Sequence, residues 1–165
     1  MTNPTLRAAI ATLVLLAGCG GSDTPQDPPD TPDVQFIRAI ERGDLPAATQ
    51  ALKAGANVNA QLPDSKETAL YFAVFSGDPK LVNFLLDHGA DVNAKATRNG
   101  DTPLHTAIYR GINEMARILV RRGADLTATN KPGHTPLELA LLLAKWRKHD
   151  DHNQIIQLLR EHRPK

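Results

Sequence analysis

The chain is almost without cysteine, since Cys19 is the single one among 165 residues. One cysteine cannot form an intrachain disulfide, so the fold has to be stable without one. Aromatic residues are also scarce, at 4% of the chain, and Ala and Leu supply most of the apolar side chains. This composition favours helices that pack closely through small residues.

An excess of charge of either sign is missing as well. The chain has 19 basic and 18 acidic side chains, for a formal net charge of +1. The segment before Cys19 contains Arg7 and no acidic residue, so without it the two signs balance at 18 each. A neutral body lacks the basic surface on which nucleic-acid binding depends, and no nucleic-acid partner is expected.

Sequence motifs of catalysis are absent too. The chain contains no Gly-rich phosphate loop, no HExxH sequence and no pair of cysteines. Three serines follow Cys19, and none of them lies in a nucleophile motif; they are Ser22, Ser65 and Ser76. We therefore expect a protein that is not an enzyme and that carries no cofactor.

The N-terminal segment, up to Asp33, differs in composition from the rest. Residues 8–17, AAIATLVLLA, form an apolar run. As a helix this run rises about 15 Å, which is too short to span a bilayer but typical of a signal-peptide core. Residues 20–33, GGSDTPQDPPDTPD, contain four prolines and four aspartates. This segment is predicted to be a disordered, extended tether.

The residues between the apolar run and the tether, Leu16-Ala17-Gly18-Cys19, resemble the lipobox of bacterial lipoproteins. The resemblance implies that residues 1–18 are a cleaved signal peptide and that residues 19–33 carry the lipid on Cys19. The thiolate is the nucleophile that such a lipidation needs. Gly20, where an aspartate would favour inner-membrane retention, implies an outer-membrane protein that faces the periplasm. An ordinary secretory signal with an incidental cysteine is the alternative.

The rest of the chain repeats itself. Gly55, Gly89 and Gly123 recur at equal intervals, in LKAGANVNA (52–60), LLDHGADVNA (85–94) and LVRRGADLTA (119–128). Upstream of these lie related segments, which are ETALYFAVFSGD (67–78), DTPLHTAIYRGI (101–112) and HTPLELA (134–140). A period near 33 with the pattern T-P-L-H resembles the ankyrin-repeat family, and the T-P-L-H match is complete only at 102–105.

The resemblance implies an all-α solenoid of four helix-turn-helix repeats with short finger loops, over residues 34–163. The repeats are expected at about 34–66, 67–100, 101–133 and 134–163. Helix N-caps are predicted at the three repeated threonines, left-handed C-caps at Gly77 and Gly111, and second helices at about 79–87 and 112–121. His105 is expected to hydrogen-bond locally and to order a neighbouring finger.

Ankyrin-like proteins bind partners on a concave face, which is built from the finger tips and the exposed ends of the first helices. The resemblance therefore implies a protein partner and a monomeric, non-enzymatic binding module. Such a module is expected to act as a scaffold, as a stress-related accessory protein or as an inhibitor or immunity protein. Burial of Phe75 between repeats is the alternative to its exposure. The candidate partner-binding residues are Arg42, Phe75, Tyr109 and Arg110 on the helices and Lys66, Arg98 and Lys131 in the fingers.

The last repeat contains an insertion of six residues near 144–153, AKWRKHDDHN, which is predicted to extend the helix that begins at Pro136. His149-Asp150-Asp151-His152 could hold a divalent ion through nitrogen and oxygen ligands, which would make the chain a metal- or small-ligand-binding periplasmic accessory protein. A solvated loop is the other interpretation. Trp146 lies among cationic residues; it either faces a partner or membrane headgroups, or forms a lid over the last repeat, which we favour.

Replacement of the lipidated residue tests the lipoprotein hypothesis. Cys19→Ala should move the protein from the membrane fraction to the soluble fraction, because the acyl chains that hold it would have no attachment point. Membrane fractionation with immunoblotting measures the change, with Ser22→Ala as the matched control. A Cys19→Ala variant that still fractionates with membranes would refute the lipobox assignment.

Overall fold

The computed structural model describes residues 31–63, 65–96, 99–147 and 151–162. Cys19, Arg98, His149 and Asp150, on which several of the predictions fall, lie outside these ranges. Within them the chain forms eight helices and no strand, apart from one isolated antiparallel bridge between Gln61 and Thr68. The predicted all-α repeat solenoid is confirmed.

The eight helices form four consecutive pairs, one pair for each predicted repeat. The pairs are α1 (Pro32–Arg42) with α2 (Leu45–Lys53), α3 (Ala69–Ser76) with α4 (Pro79–Asp87), α5 (Pro103–Arg110) with α6 (Asn113–Arg121), and α7 (Pro136–Arg147) with α8 (Asp151–Glu161). The first helices pack in one layer, α1 on α3, α3 on α5 and α5 on α7. The second helices pack behind them, α4 on α6 and α6 on α8.

The repeated threonines begin the first helices as predicted. The Oγ1 of Thr68 accepts a hydrogen bond from the backbone N–H of Tyr71 at 3.2 Å, and Thr135 accepts from Glu138 at 3.4 Å. Each bond satisfies one of the free N–H groups of the first turn. The helices α3 and α5 then end at left-handed glycines, Gly77 with φ +77° and Gly111 with φ +70°, which confirms the predicted C-caps.

A small residue occupies the same place in every first helix, five positions after the start of the repeat pattern. All four are alanines with at most 5% exposure, and they are Ala39, Ala73, Ala107 and Ala140. A side chain of one carbon lets neighbouring helices approach closely. Larger apolar side chains fill the rest of the core; the fully buried ones include Phe36, Ile40, Leu70, Leu85, Leu104, Ile108, Met115 and Leu119.

Asparagine side chains link consecutive repeats. The Oδ1 of Asn59 accepts from the backbone N–H of Asp91 at 2.7 Å, and the Oδ1 of Asn93 accepts from Asp125 at the same distance. The amide of Asn59 also donates to the carbonyl of Gly89 at 3.2 Å. These bonds repeat at the period of the sequence, so they fix the register of one repeat on the next.

Two boundaries differ from the prediction. The first helix begins at Pro32, because Thr31 caps it and the Asp33 carboxylate accepts from the backbone N–H of Asn57 at 2.7 Å. The segment from Thr31 to Asp33 therefore belongs to the repeat domain and not to the tether. The insertion is also one residue longer than predicted. The buried Leu81, Val82 and Leu85 of α4 lie 13, 14 and 17 positions after Thr68, whereas the buried Ile155, Ile156 and Leu159 of α8 lie 20, 21 and 24 positions after Thr135.

The insertion lengthens the first helix of the last repeat, as predicted. Helix α7 has 12 residues, whereas α3 and α5 have eight each. Even so, none of the helices in the described ranges has both the length and the apolar character that crossing a bilayer would need.

His105 ties the third repeat to the loop that follows it. Its side chain is fully buried, its Nδ1 accepts from the backbone N–H of Thr102 at 3.4 Å, and its Nε2–H therefore donates to the carbonyl of His134 at 3.0 Å. Burial lowers the pKa of His105, and the hydrogen bond to the His134 carbonyl only partly opposes this. The predicted role of this residue in ordering a neighbouring finger is confirmed.

The stability of the domain should fall as the pH is lowered through the titration of His105. Its folded-state pKa lies below the unfolded value of about 6.5, so the unfolded state takes up the proton first and stability is lost below about pH 6.5. Thermal unfolding between about pH 7 and pH 5 measures the slope. His105→Gln should flatten it, and His162→Gln, at an exposed position, should not. An unchanged slope in His105→Gln would assign the acid sensitivity to another group.

Candidate protein-binding site

Three large apolar side chains lie exposed at equivalent positions of consecutive repeats. Phe75, Tyr109 and Leu142 each lie seven positions after their capping threonine, and they are 43%, 56% and 40% exposed. We call these three residues the exposed row. Phe75 is thus exposed and not buried between repeats. Leu142 was not among the predicted site residues, although the same offset from Thr135 would have found it.

Phe75 lies in a cluster of stacked planar groups. Its ring is stacked with the ring of Tyr71, with centroids 5.8 Å apart and planes inclined by 28°. The guanidinium Cζ of Arg110 lies 4.3 Å from the centroid of the Phe75 ring, a cation–π geometry. Because Arg110 belongs to the next repeat, this contact joins the two repeats at the surface.

A groove of about 400 Å³ opens beside this cluster. Tyr71, Phe75, Tyr109 and Arg110 line it on the helical side, and Asp101 and Asn130 line it on the side of the loops. Such a volume lies at the lower end of the range for binding sites that receive a ligand. The structure therefore brings together three of the predicted residues, Phe75, Tyr109 and Arg110.

The loop wall of the groove is held by hydrogen bonds between finger two (residues 94–101) and finger three (residues 127–134). The Nδ2 of Asn130 donates to the Asp101 carboxylate at 2.9 Å, and the backbone N–H of Lys131 donates to the carbonyl of Asn99 at 2.8 Å. The Nζ of Lys95 donates across to the carbonyl of Thr129 at 2.8 Å. The wall is therefore formed before any partner arrives, which lowers the entropy lost on binding.

The remaining predicted residues lie elsewhere. Lys131 is exposed on finger three, beside the groove, and Lys66 is exposed on finger one (residues 60–67). Arg42 lines a separate depression between α1 and α2, whose described lining shares no residue with the groove and contains no aromatic side chain. Arg42 thus lines a different depression from Phe75, Tyr109 and Arg110.

Trp146 does not form the predicted lid, because its side chain is 76% exposed. A lid would cover apolar side chains on the outer side of the last repeat and would itself be buried against them. Leu141 is also exposed, at 43%, whereas Val74 and Ile108, at the equivalent positions of the second and third repeats, are fully buried. The next repeat covers those two side chains, and no described repeat follows the pair of α7 and α8.

His152 is not available as an exposed metal ligand. Its side chain is 2% exposed, and its Nε2–H donates to the carbonyl of Ile108 at 3.1 Å, so that it fastens α8 to α5. The described residues contain no group of three or more His, Cys, Asp or Glu side chains that could hold a metal ion. The side chains of His149, Asp150 and Asp151 lie outside the described part of the chain, so the metal-binding interpretation of the 149–152 segment stays a prediction.

The stacked helix pairs and the open groove define a helical-repeat protein. Comparison with protein families finds a match to ankyrin repeats (3 copies), over residues 15–96, 36–130 and 95–164. The chain therefore belongs to the ankyrin-repeat family, whose members are generally protein-interaction modules. No curated protein shows significant similarity to the chain.

The backbone at Lys66, in finger one, is strained. Its φ is +63°, and among the described residues it is the one non-glycine with a positive φ. The equivalent residues of fingers two and three are Gly100 and Gly133, with φ +66° and +87°. Left-handed backbone is unfavourable for a residue with a Cβ and easy for glycine.

Lys66→Gly should therefore stabilise the domain by about 0.5–1 kcal/mol, the relief of strain less the entropy of a more flexible unfolded chain. Chemical denaturation measures the free energy of unfolding. Lys131→Gly is the matched control, because it removes a finger lysine whose φ is not positive, and it should destabilise by about 0.5–1 kcal/mol. A loss of stability in Lys66→Gly would mean that the lysine side chain makes contacts worth more than the strain.

Proposed function

We propose that the chain is a non-enzymatic protein-binding module, held at the bacterial envelope by a lipid on Cys19, which captures a partner across the groove. The observation that carries this proposal is the exposed row beside a preformed groove. The five large apolar side chains that are exposed in the described residues all lie on first helices; they are Phe75, Tyr109, Leu141, Leu142 and Trp146.

Such a surface is suited to protein binding for energetic reasons. Aromatic and arginine side chains are enriched among the residues that contribute most to interfaces, and contiguous apolar surface on a folded domain marks interaction sites. Phe75, Tyr109 and Arg110 supply both features in one place. The hydrogen-bonded wall of fingers two and three keeps that place rigid, so that little ordering is needed when the partner binds.

The groups that line the groove are engaged in structure, which supports binding and not catalysis as its use. The Asp101 carboxylate accepts from Asn130, and both nitrogens of the neighbouring His105 are hydrogen-bonded. Burial, more than any nearby charge, raises the pKa of Tyr71, which makes its hydroxyl still less able to act as a base at neutral pH.

The envelope location rests on the lipobox and on the tether that follows it. Two or three acyl chains together hold a protein durably, and the proposed site is an outer membrane, on its periplasmic side. A tether that ends at Thr31 would let the domain sample a few tens of ångströms from that surface. Three roles suit such an anchored module: scaffold, stress-related accessory protein, and inhibitor or immunity protein against an envelope-targeting toxin.

The decisive test is a cross-linked pull-down of the membrane-anchored protein. Tyr109→Ala should weaken capture of a single abundant partner by about 1–3 kcal/mol, because it removes a central exposed aromatic ring. The thermal midpoint should stay nearly unchanged, since this side chain is 56% exposed. The matched control is Arg117→Ala, on the outer layer in α6.

Each outcome of this pull-down has a distinct meaning. A secreted hydrolase as partner would identify an inhibitor or immunity protein, and an envelope component would identify a scaffold. Equal capture by the wild type and by Tyr109→Ala would place the binding surface away from the groove. A large loss of thermal stability in Tyr109→Ala would mean that this residue belongs to the core.

A further inference from the structure

We propose that the groove selects an extended acidic segment of the partner, in which a side-chain carboxylate lies next to an aromatic or aliphatic side chain. The carboxylate would bind the guanidinium of Arg110, and the apolar side chain would pack against Phe75 and Tyr109. This inference rests on the proposed function, and it adds the chemistry that the groove recognises.

Arg110 is positioned to receive an anion. Its guanidinium Cζ lies 4.3 Å from the centroid of the Phe75 ring, and this cation–π contact holds the group in place without using its N–H donors on an acceptor. A guanidinium held in this way matches the geometry of a carboxylate through two parallel hydrogen bonds. Within the described ranges, no carboxylate forms an ion pair with Arg110.

The acidic residue closest to the groove is already engaged. Asp101 lines the groove, and its Oδ1 accepts from the Nδ2 of Asn130 at 2.9 Å, so this carboxylate serves the wall between the fingers. Lys131 adds a second positive charge beside it, exposed on finger three. Arg110 in the lining and Lys131 beside it carry two positive charges, against the one carboxylate of Asp101 in the lining, so an acidic segment complements this end of the groove.

The spacing between Phe75 and Tyr109 limits how far apart the acidic and the apolar side chain of the bound segment can lie. Neighbouring packed helices lie about 8–10 Å apart, and an extended chain rises about 3.3 Å per residue. About three residues therefore cross from Phe75 to Tyr109. Because the guanidinium of Arg110 lies over the Phe75 ring, the acidic residue of the bound segment should lie within one or two residues of the apolar residue that packs on Phe75 and Tyr109.

The size of the groove favours an extended segment over a helix. A helix with its side chains is about 10–12 Å across, whereas the groove encloses about 400 Å³ between the first helices and the fingers. That space accommodates a few side chains on a narrow backbone. Residues 20–30 of the chain itself are also acidic, with three aspartates, but among them proline is the only apolar residue larger than glycine. They carry the charge without the aromatic or aliphatic anchor.

Selection from a random-peptide display library on the full-length chain, in detergent, tests the proposal. The enriched peptides should carry Asp or Glu within two positions of an aromatic or aliphatic side chain. One such peptide and its Asp→Asn or Glu→Gln counterpart are then titrated by fluorescence anisotropy. Arg110→Gln should weaken the acidic peptide about tenfold and its amide counterpart less than about twofold, because the two changes remove the same ion pair.

Arg117→Gln is the matched control, since Arg117 is also exposed but lies on the outer layer, and it should leave both affinities unchanged. A thermal midpoint within about 2 °C of the wild type would show that Arg110→Gln is folded. Phe75→Leu provides a second variant, which keeps the arginine but removes the ring on which it stacks. It should also weaken the acidic peptide more than its amide counterpart.

Several results would overturn the proposal. These are no enriched peptide, enrichment without an acidic residue, and an equal effect of Arg110→Gln on both peptides. Binding that is lost when the peptide C-terminus is amidated would show recognition of a terminal carboxylate instead. Tight binding of a peptide of residues 20–30 that depends on Arg110 would make the chain's own tether the occupant. A partner captured through Tyr109 without acidic preference would remove this inference and leave the proposed function standing.

Discussion

The close approach of the first helices is the constraint on which the rest of the structure depends. A buried alanine stands at the equivalent position of all four first helices, and three of the four are fully buried; the set is Ala39, Ala73, Ala107 and Ala140. A larger side chain there would force neighbouring repeats apart, and overpacking of this kind typically costs about 1–3 kcal/mol. It would also separate Phe75 from Arg110, so that the surface cluster would be lost together with the packing beneath it.

Much of the fold was predictable, because capping is local chemistry. A threonine that accepts from an N–H three positions later, and a glycine that takes a left-handed backbone, act within one turn of chain. The two boundary errors come from long-range contacts. The composition of the sequence assigns Asp33 to the tether, and only the hydrogen bond that it accepts from Asn57 shows that it belongs to the repeat domain. The insertion was counted one residue short because the adjacent Ile155 and Ile156 are both isoleucine, so the apolar pattern alone allows either register, and only their burial together with Leu159 fixes it.

The site was predictable in position but not in arrangement. The repeat register placed Phe75, Tyr109 and Arg110 at the ends of first helices, where the structure has them. The stacking of Arg110 on Phe75 depends on side-chain conformations in two different repeats, which no spacing reveals. The exposure of Trp146 was missed for the same reason, since a lid can be judged only against the surface it would cover.

The fingers do not behave as one unit. Fingers two and three are joined through Asn130 and Asp101, whereas finger one closes on itself, with the backbone N–H of Leu62 donating to the carbonyl of Glu67 at 2.9 Å. None of the backbone hydrogen bonds within the described parts of these loops joins finger one to finger two. Substitutions in finger one can therefore accumulate without disturbing the groove. This separation lets the sequence of finger one change while the groove keeps its structure, so that related partners can be distinguished without a change in the residues that bind them.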